Sequence, residues 1–166
     1  MQVEAAVVVE VEGWFEGDAA GGDQVGFDVA NAGDVNGDGF DDLLISAHSL
    51  SGAGNKGAAY LVFGQAGGFG SDINLSDIDG TNGYILLGDV PGYFVGQYLE
   101  AAGDINNDGF DDIMLSSLGA DHSANNSGSV YVMYGGDADY FEFFDYLSGG
   151  IDGTLDLDLL ANPPVA

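Results

Sequence analysis

Short apolar runs recur along the chain between clusters of Gly, Asn, Ser and Asp, with no sustained helical period. Turn residues that punctuate β-branched and aromatic runs mark an all-β chain. The runs predict strands at residues 27–32, 43–47, 58–63 and 84–87, then at 97–102, 113–117 and 130–134. Residues 140–147, with Tyr140, Phe141, Phe143, Phe144 and Tyr146 around them, are the one place where a short helical turn fits. The valine-rich opening, residues 3–11, reads as the outer strand of a preceding unit. Residues 155–159 alternate strictly between Leu and Asp and read as the outer strand of the second unit. Asn162-Pro163-Pro164 ends any strand, because two prolines cannot continue a ladder.

The strands come in two sets because the sequence repeats. Gly33-Asp34-Val35-Asn36-Gly37-Asp38-Gly39-Phe40-Asp41-Asp42 returns seventy residues later as Gly103-Asp104-Ile105-Asn106-Asn107-Asp108-Gly109-Phe110-Asp111-Asp112. Gly13-Trp14 and Gly83-Tyr84 share that offset, as do Val25-Gly26 and Val95-Gly96. Gly57-Ala58-Ala59-Tyr60-Leu61-Val62-Phe63-Gly64 matches Gly128-Ser129-Val130-Tyr131-Val132-Met133-Tyr134-Gly135 at seventy-one, and Ile78-Asp79-Gly80-Thr81 returns as Ile151-Asp152-Gly153-Thr154 at seventy-three. Small insertions in surface loops produce such drift. Four strands per repeat, stacked side by side, is the layout of a propeller blade. The expected fold is therefore all-β, with tandem four-stranded antiparallel β-propeller blades, about two of them, making an incomplete propeller. Residues 1–16 would give the outer strand of a preceding blade, 17–88 the first blade, 89–160 the second and 161–166 a tail.

Each acidic loop reads D-x-N-x-D-G-x-x-D and runs straight into an apolar strand. In a tight loop the first, third and fifth side chains converge, a glycine at six permits the bend, and the seventh carbonyl completes the ring. Such an oxygen cage suits a hard cation, above all Ca²⁺. The ligands would be Asp34, Asn36, Asp38, the Phe40 carbonyl and Asp42 in the first loop. In the second they would be Asp104, Asn106, Asp108, the Phe110 carbonyl and Asp112. Two Ca²⁺ ions are thus expected, with affinities on the order of 10⁻⁴–10⁻³ M for sites of three carboxylates and one amide. The loops are not EF-hands. An EF-hand needs a glutamate at position twelve on an exiting helix, and here position twelve is Ile45 or Leu115. A dockerin-like reading fails for the same lack of helices. Asp41 and Asp111, beside the last ligands, are expected to support the loop or face solvent.

These residues resemble the FG-GAP repeats that build the β-propeller of integrin α subunits and of many bacterial surface and secreted proteins. The matching elements are Val25-Gly26-Phe27-Asp28-Val29-Ala30, then Ala32 through Asp42, then Gly57 through Gly64. The spacer from Leu75 to Tyr84 is similar to the link to the outer strand in bacterial members. In that family the acidic loop joins the first two strands of a blade and binds calcium. The Gly-Ala-Pro and Phe-Gly signatures are replaced here by Ser46-Ala47-His48 and Ser116-Ser117-Leu118, and by Val25-Gly26 and Val95-Gly96.

Composition narrows the partners. The 28 acidic residues face a single Lys56, for a formal charge of −27 over 166 residues. Nucleic acid and anionic membrane surfaces are poor partners for such a chain, since both are gripped through lysine and arginine. Two Ca²⁺ ions would reduce the charge only by four, so the rest of the acidity points either to a salty, calcium-containing exterior that screens self-repulsion or equally to a solvated acidic surface kept for solubility. With 46% hydrophobic residues the chain is not disordered. It has no cysteine, hence no disulfide or thiolate site. The valine run is broken by Glu10 and Glu12 and lacks a basic leader, so it is neither a signal peptide nor a membrane helix.

Candidates for catalysis are weak. His48 and His122 do not align in the repeat and are expected to be solvent-exposed loop histidines, and no G-x-S-x-G elbow is present. The aromatic cluster at 140–146 is expected to pack against a neighbouring blade rather than offer a sugar platform. Trp14, equivalent to Tyr84, is expected at a structural blade position. The function expected is a non-catalytic, calcium-binding module for adhesion or interaction with a protein or glycan, extracellular or on the cell surface. The alternative is an accessory or carbohydrate-binding segment of a larger secreted hydrolase. Closed propellers need about 4–8 blades, so the chain is expected to be part of a longer array, or failing that to self-associate. Leu44, Ile45, Leu61, Val130 and Val132 are expected near the bare blade faces.

Overall fold

The computed structural model describes residues 8–10, 22, 24–50, 54–69, 72–88, 90–120, 127–147 and 153–157. Strand β1 spans Val8–Glu10, β2 Val29–Gly33, β3 Asp42–Ser46, β4 Ala58–Val62 and β5 Asp72–Asn74. A 3-10 turn, Leu75–Asp77, leads to β6 at Gly83–Leu87. Then come β7 (Val95–Gly103), β8 (Asp112–Ser117), β9 (Ser129–Met133), helix α1 (Ala138–Leu147) and β10 (Thr154–Asp156). All seven strands expected inside the two repeats are present, with ends displaced by one or two residues.

The first sheet has the order β10-β6-β4-β3-β2, and its four repeat strands pair antiparallel. The second sheet is β7-β8-β9, also antiparallel. The pairing register sorts the first sheet's side chains by face. Leu44 stands opposite Leu61, which stands opposite Tyr84, and with Ala59 and Leu86 they form one apolar face. Ile45, Tyr60 and Ile85 make the matching row on the other face.

The first of these faces packs against Val95, Leu99, Ile113, Leu115 and Met133 of the second sheet. The second is covered by Ile73 of β5 and by Leu50, Leu75 and Ile78 from connecting segments. Strand β4 is therefore buried at all five positions, as a strand between two apolar layers should be. Each fully buried Leu there contributes about 1.5–3 kcal/mol. The result is an all-β arrangement of blade-like sheets stacked face to face, with no closed barrel among the described residues.

Four expectations change. Residues 155–159 were expected to edge the second unit, yet β10 lies parallel to β6 at the edge of the first sheet, with Leu155 opposite Leu86. Leu155 and Leu157 are each 1% exposed and join the core beside Leu86 and Phe141. Burying those side chains against the first sheet, and covering its free β6 edge, outweighs local order along the chain. Gly153, in the second Ile-Asp-Gly-Thr, lies against Gly80 in the first; a Cβ there would come within 2.4 Å of the Gly80 nitrogen.

The short helical turn expected at 140–147 becomes a ten-residue helix, α1, between the third strand of the second unit and β10. Asp137 caps it, its Oδ1 accepting the Tyr140 N–H at 3.1 Å. The opening segment contributes β1, which pairs parallel with β5 and joins neither larger sheet. Of the residues expected near bare faces, Leu44, Ile45 and Leu61 are buried, whereas Val130 and Val132 are 64% and 46% exposed. Trp14, His122 and the 161–166 tail lie outside the described residues.

Candidate metal loops

The two loops connect β2 to β3 and β7 to β8. Their bends depend on left-handed backbone. Gly39 and Gly109, the sixth residues, have φ of 90° and 101°, and the fourth position is Gly37 at 75° or Asn107 at 63°. Asparagine is among the few side-chain residues that enter this region readily, so the substitution leaves the loop shape unchanged.

The same hydrogen bonds recur in both copies. Asn36 Oδ1 accepts the Asp38 N–H at 2.9 Å, Asp38 Oδ1 accepts the Phe40 N–H at 2.9 Å, and Asp34 Oδ2 accepts the Gly39 N–H at 3.0 Å. In the second loop the corresponding bonds, from Asp108, Phe110 and Gly109, are each 3.0 Å. Residues one, three and five are thus gathered around the loop tip by its own amides.

The ninth residues do something else. Asp42 is 2% exposed, and its carboxylate accepts N–H bonds from Val35 (2.9 Å) and Gly64 (2.8 Å). Asp112 is fully buried and holds the Ile105 N–H at 2.8 Å and the Gly135 N–H at 2.9 Å. Each therefore staples the start of its loop to the segment after the third strand of its unit. Among the described residues, no three carboxylates or imidazoles converge into one preassembled metal cluster. Asp34, Asn36 and Asp38 are brought together at the tip, and Asp42, which feels the charges of Asp38 and Asp34, has each oxygen accepting a backbone N–H.

The donor set nevertheless fits a hard cation. Asp34 Oδ1 is buried with no hydrogen-bond partner, which is costly for a carboxylate oxygen. Asp42 titrates at about 6, raised by burial against the lowering pull of the Gly64 and Val35 amides, with the charges of Asp38 and Asp34 adding to the rise. Lys56 is the only lysine or arginine in the chain, so side chains offer little countercharge. All side-chain ligands expected are oxygen donors, the preference of Ca²⁺ rather than of softer ions.

The second sheet is fastened directly to the first loop. Asp111 Oδ2 accepts the Asp34 N–H at 2.9 Å, and the Asp111 N–H donates to the Asp34 carbonyl at 3.1 Å. The Gly136 N–H donates to the Val35 carbonyl at 3.0 Å. Asp28 Oδ2 accepts the Leu99 N–H at 2.8 Å, and Ser46 Oγ donates to the Gly96 carbonyl. Asp111 is thus a clamp between sheets, whereas its equivalent Asp41 accepts from Asn31 Nδ2 at 3.0 Å within its own sheet. The repeat contains one hint of this division: Asp28 falls opposite Tyr98 at the seventy-residue offset, so it has no counterpart in the second unit.

His48 was expected in solvent but is 6% exposed, edge-on to the Phe27 ring at 4.5 Å, with Nδ1 unpartnered. Burial lowers its pKa below the usual histidine value. Phe141 stacks on Tyr84 at 5.2 Å and meets Phe63 at 5.8 Å, so this part of the aromatic cluster is core packing. Tyr84 itself is 4% exposed, a structural position. The Tyr140 hydroxyl is raised by burial and by the charges of Asp108 and Asp112, which places the start of α1 beside the second loop. A cleft of about 520 Å³ adjoins the first loop, lined by Asn36, Asp38, Asp79, Tyr84, Phe141 and Glu142 among others.

Stacked antiparallel sheets, each with an acidic loop between its first two strands, define a tandem blade-repeat protein. The FG-GAP repeat model matches residues 25–62 and again residues 98–133. The chain thus carries two FG-GAP repeats, and the matches run from before each acidic loop to the third strand of each sheet.

Proposed function

We propose that this chain is a calcium-stabilised, non-catalytic interaction module, working outside the cell or at its surface, with a protein or glycan as partner. The observation that carries the metal reading is the buried, unpartnered Asp34 Oδ1 inside a loop of carboxylates that lacks basic countercharge. Asp34, Asn36 and Asp38, with the Phe40 carbonyl and Asp42, would hold one Ca²⁺. Asp104, Asn106 and Asp108, with the Phe110 carbonyl and Asp112, would hold the other. Bound Ca²⁺ would neutralise the carboxylates and lock each loop against the strand that follows. The non-catalytic reading is supported by the loops' use of their acids for backbone architecture, and by the family's general use as a scaffold.

The partner reading rests on an open face. Ala59 and Leu61 are fully buried where the first sheet meets the second. Their repeat equivalents, Val130 and Val132, point the same way from the second sheet and are exposed. A further blade of a longer chain, or a second copy, would cover that face as the second sheet covers the first.

Thermal melts test the calcium reading. Taking Kd on the order of 10⁻⁴–10⁻³ M, 10 mM Ca²⁺ stabilises by about 1.4–2.7 kcal/mol per site, roughly 3–11 °C each. Asp38→Ala with Asp108→Ala should abolish most of the difference from EGTA. Identical melts in EGTA and in calcium would defeat the assignment.

A further inference from the structure

Two loops of nearly identical sequence occupy unlike surroundings. Asp104, first residue of the second loop, is exposed and spends both carboxylate oxygens on its own loop, accepting from Asp108 and Gly109. Asp34, first residue of the first loop, is partly buried, and its backbone N–H and C=O are both taken by Asp111 of the second sheet. Asp111 sits between Phe110 and Asp112, the seventh and ninth residues of the second loop. The Phe110 ring lies over the first loop, where a Cβ on Gly37 would come within 2.4 Å of it. Asp112 fixes Gly135, and the Gly136 N–H then binds the Val35 carbonyl. One continuous chain of hydrogen bonds therefore runs from the end of the second loop into the start of the first.

We propose that Asp111 couples the two loops, so that a cation in the second loop raises the affinity of the first, and the reverse. The inference rests on the calcium reading above. A cation held through the Phe110 carbonyl and Asp112 would stabilise the arrangement of residues 110–112 in which the Asp111 carboxylate and amide already grip Asp34. Both hold Asp34 in place, so the first loop no longer loses that conformational freedom when it binds. Linkage makes the effect reciprocal. Asp111 is a positioning residue in this scheme, acting on the first cation through Asp34.

The full chain, labelled with ¹⁵N, is titrated with Ca²⁺ while the amides of Gly39 and Gly109 report the two loops separately. Disabling the second loop by Asp108→Ala should move the Gly39 midpoint to about tenfold higher calcium, within the usual range of coupling. Asp38→Ala should move the Gly109 midpoint by the same factor. In an Asp111→Ala background, Asp108→Ala should leave the Gly39 midpoint where Asp111→Ala alone put it. Asp111→Asn keeps an acceptor for the Asp34 N–H and should restore the coupling, which a general loosening of the fold would not do. A Gly39 midpoint that is the same with and without Asp108→Ala overturns the proposal and leaves calcium binding standing. Amides that ignore calcium altogether overturn both.

Discussion

Replacing Asp112 by alanine should destabilise the protein severely even when no calcium is present. The carboxylate is fully buried and accepts two backbone N–H groups, from Ile105 and Gly135. The Gly135 donor is buried and has no easy alternative, whereas the bond from Ile105 is only partly buried. Gly135 is wedged so tightly that a Cβ on it would lie 2.4 Å from the Asp111 carbonyl oxygen and 2.7 Å from that of Val35. A buried donor left without an acceptor costs about 1–3 kcal/mol, so Asp112→Ala should lose about 1–3 kcal/mol at Gly135 and up to as much again at the partly buried Ile105 amide. Set against a total stability of roughly 5–15 kcal/mol, that is a large fraction. A mid-range loss of about 4 kcal/mol lowers Tm by roughly 8–16 °C for a chain of this size. Asp112→Asn retains one acceptor and should lose about half as much. Asp108→Ala is the contrast: its amide partners are exposed and water replaces the carboxylate, so the loss should stay below about 0.5 kcal/mol. Urea unfolding in EGTA, followed by circular dichroism, measures all three. If Asp112→Ala and Asp108→Ala prove equally mild without calcium, Asp112 is not a backbone staple and its burial needs another explanation.

Magnesium should protect the protein far less than calcium at equal concentration, because its small, near-ideal octahedron suits a carbonyl-and-carboxylate loop poorly; equal protection would reduce the sites to diffuse acidic patches. In EGTA, the His48 contribution to stability should decline as pH falls below about 6.5, since burial holds His48 below the unfolded value of about 6.5, while Asp42, raised to about 6, works in the opposite sense. At His48 the unfolded chain binds the proton first, so the stabilisation is complete above that pH and is lost as pH drops through the folded value. Melts of His48→Gln should lack this part of the pH dependence, and an unchanged profile would remove the assignment. Light scattering on the isolated chain should show association through the open face, relieved by Val130→Asp with Val132→Asp. A cooperative, stable monomer would mean that the face needs no partner.

The sequence by itself determined the β class, the two units, the strand positions within them and the acidic loops. These features are local. Alternation, turn residues and the D-x-N-x-D-G spacing act over a few neighbouring residues, and the seventy-residue repeat states each of them twice. The tertiary structure decided how the two copies differ. Asp41 and Asp111 occupy the same place in the motif, yet only Asp111 has a loop from another sheet to clamp. His48 looks like any polar loop residue until Phe27 closes over it. Leu155 and Leu157 alternate as an edge strand should, but alternation cannot name the edge. Burial against Leu86 and Phe141 chose the first sheet. Helix α1 was legible as a short helical turn at 140–147, but not its full length or its packing, because these depend on Phe141 reaching Phe63 and Tyr84. A repeated sequence encodes equal local preferences in each copy. Which face of a sheet is covered, and which loop acquires a neighbour, depends on the stacking of one copy on the other, and so the two loops came to differ.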